Sequence, residues 1–111
     1  MATLQYTVLF ASATKLSGTA LAGIAATTKK LLKQGPIPVV VLESFASSGG
    51  DEQRNDALTV LRAEIVQKEM ENGGYPAHKI LVRARGEREF ERPNQSNKNG
   101  PTRRVEIVQV E

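Results

Sequence analysis

Asn55 and Arg62 have the residue types and the spacing to recognise a carboxylate together. They are seven residues apart in a segment of helical periodicity, so about two helical turns bring their side chains to one face. A guanidinium offers planar, two-pronged donation to a carboxylate, which a lysine cannot reproduce. Simpler roles also fit these residues. Arg62 can pair with Glu64 or Asp51 on the helix surface, and Asn55 can serve as the helix N-cap.

No other set of residues in the chain has the composition of a catalytic or metal site. The sequence holds no cysteine and one histidine, which excludes thiolate metal sites, disulfides and cysteine nucleophiles and leaves His78 without a second histidine for a zinc set. Its acidic residues lie in segments with the character of loops and helix ends, and none accompanies a nucleophile and a base. The sequence therefore predicts a protein that is not an enzyme and that binds no metal ion or cofactor.

Charge and hydropathy disfavour two kinds of partner. The 15 basic and 12 acidic residues give a net charge of +3, and between residues 83 and 92 four arginines alternate with three glutamates. The positive field is therefore too weak to favour nucleic acid. No apolar run approaches the roughly 20 residues of a membrane-spanning helix, so we expect no direct insertion into a membrane. If the chain acts outside the cytoplasm, we expect its export sequence or anchor in a longer precursor.

The pattern of apolar residues predicts the elements that hold these side chains. Six elements are predicted, with strands at residues 5–10, 39–43, 80–85 and 103–110 and helices at residues 17–33 and 55–72. Residues 45–50 and 86–101 have the composition of loops. The order β-α-β-α-β-β predicts a mixed four-stranded sheet with two helices packed on it. Because no linker or internal repeat is present, we expect residues 1–111 to form one domain with a core over about residues 5–110.

Both predicted helices carry an apolar stripe that should face the sheet. The stripe of the first helix contains Leu21, Ile24, Ala25, Thr28, Leu31 and Leu32. The stripe of the second helix contains Leu58, Leu61, Ile65, Val66 and Met70. We expect Leu58 and Leu61 to be core residues, so that truncating either to alanine costs about 2 to 5 kcal/mol of folding free energy.

Four short motifs, in a fixed order along the chain, resemble those of a known family. They are Val8-Leu9-Phe10 with Thr14 and Leu16, then Asn55 with Leu58-Thr59 and Arg62-Ala63, then Gly86-Glu87, and finally Arg103-Arg104-Val105-Glu106-Ile107. In this order the chain resembles the OmpA-like peptidoglycan-binding domain over about residues 6–107. The resemblance implies an α+β fold, the OmpA-like two-layer sandwich, with a mixed four-stranded sheet and two main helices on one face.

The resemblance also implies a ligand, the diaminopimelate residue of a peptidoglycan stem peptide. In the family's arrangement Arg62 would grip the ligand carboxylate, and Asn55 would add hydrogen bonds from the same helix face. Arg103 and Arg104 alternate between the two faces at the start of a strand. We expect one of them to form an ion pair that is structural or that borders the site, and we include Arg103 among the site residues.

One departure from the family concerns the ammonium group of this ligand. The family's Gly-His-Thr-Asp motif aligns with Ser44-Phe45-Ala46-Ser47, so Ser47 stands where the family has the aspartate. A serine accepts a hydrogen bond but carries no charge, and the loss can reach roughly 1.5 to 3 kcal/mol. Asp51 can take over this role if the loop folds back towards the helix.

The resemblance implies a non-catalytic domain of the periplasm that binds peptidoglycan and anchors an envelope protein, such as an outer-membrane protein or a lipoprotein, to the cell wall. The missing aspartate supports a second hypothesis. In it the chain is a structural or protein-interaction domain of an envelope complex, such as a secretion system or a motor, with weakened or lost peptidoglycan binding. Other envelope proteins are then its partners, and the sequence leaves a homodimer open.

Overall fold

The computed structural model describes residues 2–45, 52–86 and 104–110, apart from the side chains of residues 52–55, 85 and 86. These residues form four strands and two α-helices, namely β1 (Ala2–Leu9), α1 (Ala20–Leu32), β2 (Val39–Phe45), α2 (Glu52–Asn72), β3 (Ile80–Gly86) and β4 (Arg104–Val110). A short 3-10 helix at Ala77–Lys79 precedes β3. The predicted order β-α-β-α-β-β is confirmed. No helix in these ranges combines the length and the apolarity needed to cross a membrane.

The strands form one mixed sheet in the order β1-β4-β2-β3. β4 is antiparallel to both β1 and β2, whereas β2 and β3 are parallel and are joined through α2. β1, β2 and β3 therefore point the same way. β1 and β3 are the edge strands.

Both helices pack on the same face of this sheet. Alternate residues of each strand turn towards the helices. The resulting core includes Val8, Val40, Leu42, Val105 and Ile107 from the sheet, with Ile24, Leu31, Val66 and Met70 from the helices. The predicted α+β fold, a four-stranded mixed sheet with two main helices on one face, is confirmed.

Tyr75 connects the end of α2 to the start of β2. Gly74, with a φ of 100°, ends the helix in the left-handed region, and the buried Tyr75 follows it. The hydroxyl of Tyr75 donates to the carbonyl oxygen of Pro38. Burial raises the pKa of this phenol, so folding favours its neutral, donating form.

α1 begins later than predicted, and its buried stripe is rotated. The backbone N–H of Ser17 donates to the carbonyl oxygen of Leu9 at 3.1 Å, so the chain is still tied to β1 there and the helix begins at Ala20. Leu21 and Ala25 are exposed, and their predicted place in the core is wrong. The buried residues of the helix are Ala20, Ile24, Thr27, Thr28 and Leu31.

α2 also buries a different face from the predicted one. Val66 and Met70 are fully buried, as predicted, but Leu61 is 48% exposed and Leu58 is only half-buried. The buried stripe contains Thr59, Arg62, Ala63, Val66 and Met70. Because Arg62 takes a position facing the sheet, the two leucines are turned to the flank of the helix. Their predicted place in the core is wrong.

The boundaries of α2 and β2 differ from the prediction near the candidate site. α2 begins at Glu52, three residues before the predicted start at Asn55. Glu52 suits the positive end of the helix dipole, and Gln53 and Arg54 are good helix formers. Asn55 therefore lies inside the helix, and its interpretation as the N-cap is wrong. β2 continues through Phe45, so the prediction that Phe45 belongs to a loop is also wrong.

Met70→Ala and Leu61→Ala test which face of α2 is buried. Met70 lies in the core, so its truncation should cost about 2 to 5 kcal/mol of unfolding free energy. Leu61→Ala, on the exposed flank of the same helix, should change that free energy by less than about 1 kcal/mol. Urea unfolding followed by circular dichroism measures both values. Equal losses would show that the flank of α2 is buried.

Gly23 lies where α1 approaches β1. A Cβ atom at this position would overlap the ring of Tyr6. Alanine normally stabilises a helix interior by about 1 kcal/mol relative to glycine, but for Gly23→Ala we expect a net loss because the ring must move. In a Tyr6→Leu background the same change should be stabilising. Thermal unfolding of this double-mutant cycle measures the difference, and a stabilising Gly23→Ala in the presence of Tyr6 would contradict the close approach.

Candidate functional site

All four strands have an end on one side of the sheet, which we call the loop edge. β1, β2 and β3 end there at Leu9, Phe45 and Gly86, and the antiparallel β4 begins there at Arg104. α1 begins close to this edge, because the backbone N–H of Ser17 donates to the carbonyl oxygen of Leu9. Since helix N-termini carry partial positive charge, the start of α1 is electrostatically suited to an anionic group.

The connection after β1 is a closed loop. Phe10 forms an isolated antiparallel bridge with Leu16. Within this bridge the N–H of Ala11 donates to the carbonyl oxygen of Lys15 at 2.8 Å. These backbone hydrogen bonds hold the loop against the end of β1 and so fix the position from which the carbonyl group of Ala13 projects.

Arg62 joins this loop to the end of β2. Its side chain is almost completely buried, and the residue is 1% exposed. Nε donates to the carbonyl oxygen of Ala13 at 2.7 Å, and Nη1 donates to the carbonyl oxygen of Phe45 at 3.4 Å. The guanidinium carbon lies 5.4 Å from the centre of the Phe10 ring. The alternative that Arg62 lies on the helix surface and pairs with Glu64 is therefore wrong. Glu64 is exposed, whereas Arg62 is buried.

Phe45 has a second arginine on the opposite face of the sheet. The guanidinium carbon of Arg104 lies 4.1 Å from the centre of the Phe45 ring, and Nε of Arg104 is 3.0 Å from Oε2 of Glu106. Both charged side chains are buried. The expectation that one arginine of the Arg103-Arg104 pair forms an ion pair is confirmed for Arg104.

A further ion pair extends this charged group across the sheet. Nη1 of Arg83 is 3.3 Å from Oε2 of Glu43, and Glu43 lies directly opposite Glu106 in the pairing of β2 with β4. Two carboxylates at paired positions repel one another. Arg83 pairs with Glu43 and Arg104 pairs with Glu106, so each carboxylate has an arginine partner.

The structure describes the side chain of only one of the predicted site residues, Arg62. Arg62 is at the loop edge, in contact with the ends of β1 and β2. Asn55 belongs to α2, and its side chain lies outside the description. Ser47, Asp51 and Arg103 lie outside the described residues, and their roles stay predictions.

Apart from the ion pair expected of Arg103 or Arg104, the buried charges of β2 and β4 were not predicted from the sequence. A hint of them was present, because Glu43 interrupts an apolar run and because Arg104 and Glu106, two residues apart, share one face of a strand.

Next to Glu43, the Oγ atom of Ser44 is buried without a hydrogen-bond partner in the described part of the chain. Within that same part, no group of three or more His, Cys, Asp or Glu residues is arranged to hold a metal ion.

Comparison with known families decides the identity of this fold. The model of the OmpA family matches residues 12–105. The chain belongs to the OmpA family. The matched region of this OmpA-family domain includes Arg62 and the end of β2 at Phe45, and so contains most of the loop edge. No curated protein sequence matches the chain.

Solved structures agree with the OmpA-family fold. The C-terminal domain of Helicobacter pylori MotB has a TM-score of 0.77 at 20% identity, over 96% of this chain and 85% of that one. The peptidoglycan-associated lipoprotein of Burkholderia pseudomallei has a TM-score of 0.75 at 18% identity, over 94% and 89%. The OmpA-like domain of FopA1 from Francisella tularensis has a TM-score of 0.72 at 23% identity, over 95% and 74%. At identities of 18 to 23%, these similarities show a shared fold and nothing further.

Arg62→Met tests the role of the buried guanidinium in holding the loop edge. Methionine has an unbranched side chain that fills part of the same space, but it lacks the N–H groups that donate to the carbonyl oxygens of Ala13 and Phe45. We expect a loss of about 3 kcal/mol or more in unfolding free energy, because two carbonyl groups lose a charged partner. Lys68→Met, on the exposed side of the same helix, is the matched control and should change stability by about 0.5 kcal/mol or less. Similar values for both variants in urea unfolding would contradict this role.

Proposed function

We propose that this domain binds peptidoglycan without catalysing a reaction and thereby anchors an envelope protein to the cell wall in the periplasm. The observation that carries the proposal is the position of Arg62. It matches the motif arginine of the family, it contacts the loop edge at the ends of β1 and β2, and its guanidinium is held by defined acceptors. Such a preorganised cation suits the recognition of a carboxylate.

The proposal requires the ligand to reach a buried guanidinium. The hydrogen bond from Nη1 to the carbonyl of Phe45 is long, at 3.4 Å, whereas the bond from Nε to Ala13 is 2.7 Å. A charged carboxylate is a stronger acceptor than a neutral carbonyl. In our proposal the ligand carboxylate therefore takes the place of the Phe45 carbonyl, and the bond to Ala13 keeps the guanidinium oriented.

The roles proposed for the other site residues rest on the resemblance of the sequence motifs to those of the family. Asn55 lies two turns before Arg62 on α2 and is proposed to add hydrogen bonds to the same ligand group. Ser47 stands at the position of the family aspartate, where a carboxylate would meet the ligand ammonium, and Asp51 is its candidate replacement. Arg103 is proposed to border the site. The proposed ligand class is a stem peptide that contains diaminopimelate.

A second function rests on two observations. Arg62 already has main-chain acceptors and is 1% exposed, and the family aspartate is replaced by Ser47. Both features favour a structural or protein-interaction domain in an envelope complex, with weakened or lost peptidoglycan binding. The similarity to MotB and to a peptidoglycan-associated lipoprotein is compatible with either function.

Ser47→Asp distinguishes these two functions. If the site is otherwise retained, the new carboxylate completes the charge pairing, and binding of a diaminopimelate stem peptide should become at least about tenfold tighter, equivalent to about 1.4 kcal/mol. Ser48→Asp introduces the same charge one residue further on and is the matched control. Calorimetric titration at two salt concentrations measures both variants, because an ion pair at an open site is screened by salt.

A second ligand tests the role of Arg62 without a substitution at that residue. A stem peptide with lysine in place of diaminopimelate keeps the ammonium group and lacks the carboxylate at the end of the side chain. It should bind to Ser47→Asp at least about tenfold more weakly than the diaminopimelate peptide. If neither the wild type nor Ser47→Asp binds the diaminopimelate peptide, wall recognition is wrong and the interaction-domain function replaces it.

A further inference from the structure

Ser44 has a buried hydroxyl group whose hydrogen-bonding capacity the fold does not use. The residue is 0% exposed, and within the described part of the chain its Oγ is the one buried side-chain polar atom without a hydrogen-bond partner. Buried polar groups in folded proteins are nearly always hydrogen-bonded, and a group that is not weakens the fold. Such a hydroxyl is ready to bond to a group that the free domain does not supply.

The hydroxyl of Ser44 lies on the helix side of the sheet, next to the contact between Arg62 and β2. Val40 and Leu42 precede it at alternate positions of the strand and belong to the core under the helices, so Ser44 faces the same way. The next residue, Phe45, accepts a hydrogen bond from Nη1 of Arg62 through its carbonyl oxygen. The hydroxyl therefore lies one residue from the point where the guanidinium meets β2.

The neighbouring elements explain why this hydroxyl lacks a partner in the described part of the chain. In the sheet, Ser44 is paired with Ala84 of β3 and with Val105 of β4, whose side chains contain no donor or acceptor. On the buried stripe of α2, one turn before Arg62, the hydroxyl of Thr59 donates to a carbonyl oxygen of its own helix at 2.7 Å. The donor of Ser44 thus meets apolar side chains and a hydroxyl whose proton is already in use.

We propose that Ser44 is a further ligand-binding residue of this domain, and that its hydroxyl donates to the carboxylate that Arg62 binds. This inference rests on the proposed function, in which the ligand carboxylate replaces the carbonyl of Phe45 at Nη1. A carboxylate has two oxygens that can each accept more than one hydrogen bond, and its charge makes it a strong acceptor. In that position one oxygen accepts from Nη1, and the other accepts from Ser44.

Ser44 distinguishes this chain from the motif that it resembles. The motif Gly-His-Thr-Asp aligns with Ser44-Phe45-Ala46-Ser47, so the motif has a glycine, and hence no side-chain donor, where this chain has a serine. This chain lacks the aspartate of the motif at Ser47 and has an additional hydroxyl at Ser44. In our proposal the recognition of the ligand therefore depends less on its ammonium group and more on its carboxylate.

Ser44→Ala tests this role with two ligands, a stem peptide that contains diaminopimelate and one that contains lysine in its place. The lysine peptide lacks the carboxylate at the end of the side chain. In wild-type and Ser47→Asp backgrounds, Ser44→Ala should weaken binding of the diaminopimelate peptide about tenfold, because a hydrogen bond to a charged group is lost. Binding of the lysine peptide to the Ser47→Asp background should change by less than about twofold. Calorimetric titration measures both affinities.

The stability of the free domain separates a ligand-binding hydroxyl from a structural one. Ser44→Ala takes no hydrogen bond from the fold, so the urea midpoint of unfolding should stay the same or rise. Tyr75→Phe is the matched control, because it removes a hydroxyl that donates to the carbonyl oxygen of Pro38, and it should lower the midpoint. A comparable fall for Ser44→Ala would show that its hydroxyl has a partner within the protein and would overturn the proposal.

The results distinguish a failure of this inference from a failure of the proposed function. A loss of about tenfold for the diaminopimelate peptide alone, with the midpoint of unfolding retained, supports the role of Ser44. Unchanged binding of that peptide after Ser44→Ala, or equal losses for both peptides, would overturn this role and leave peptidoglycan binding in place. If neither the wild type nor Ser47→Asp binds the diaminopimelate peptide, the proposed function and this inference are both wrong.

Discussion

The burial of the Arg62 guanidinium constrains the rest of this domain. A charged group removed from water is costly unless it keeps hydrogen-bond partners, and the partners here are main-chain carbonyls of two separate segments. α2 must therefore turn Arg62 towards the sheet, and the loop after β1 must close over it. The same requirement sends Leu58 and Leu61 to the flank of the helix. A residue of the family motif thus also constrains the fold.

Phe45 extends this constraint to the other side of the sheet. Its carbonyl accepts from Arg62 on one side, and its ring lies under Arg104 on the other. Glu106 pairs with Arg104 in turn. Loss of Arg62 should therefore also disturb the ion pair between Arg104 and Glu106.

The two faces of the sheet differ in what they bury. The face under the helices is occupied by the core, and the family's motif arginine contacts its loop edge. The opposite face carries the ion pairs of Glu43 and Glu106 near the loop edge.

The sequence by itself determined the element order, the fold class and the importance of Arg62. Apolar periodicity and turn residues are local properties, and the family motifs follow one another at fixed distances along the chain. Tertiary structure decided which face of α2 is buried, where that helix begins, and how Glu43, Glu106 and Arg104 meet. The periodicity of α2 fits two neighbouring stripes, and the one containing Leu61 is the more apolar. The stripe with Arg62 is buried because its charge needs acceptors that only the folded strands bring together. Likewise, strand register depends on pairing between distant segments, which no local pattern specifies.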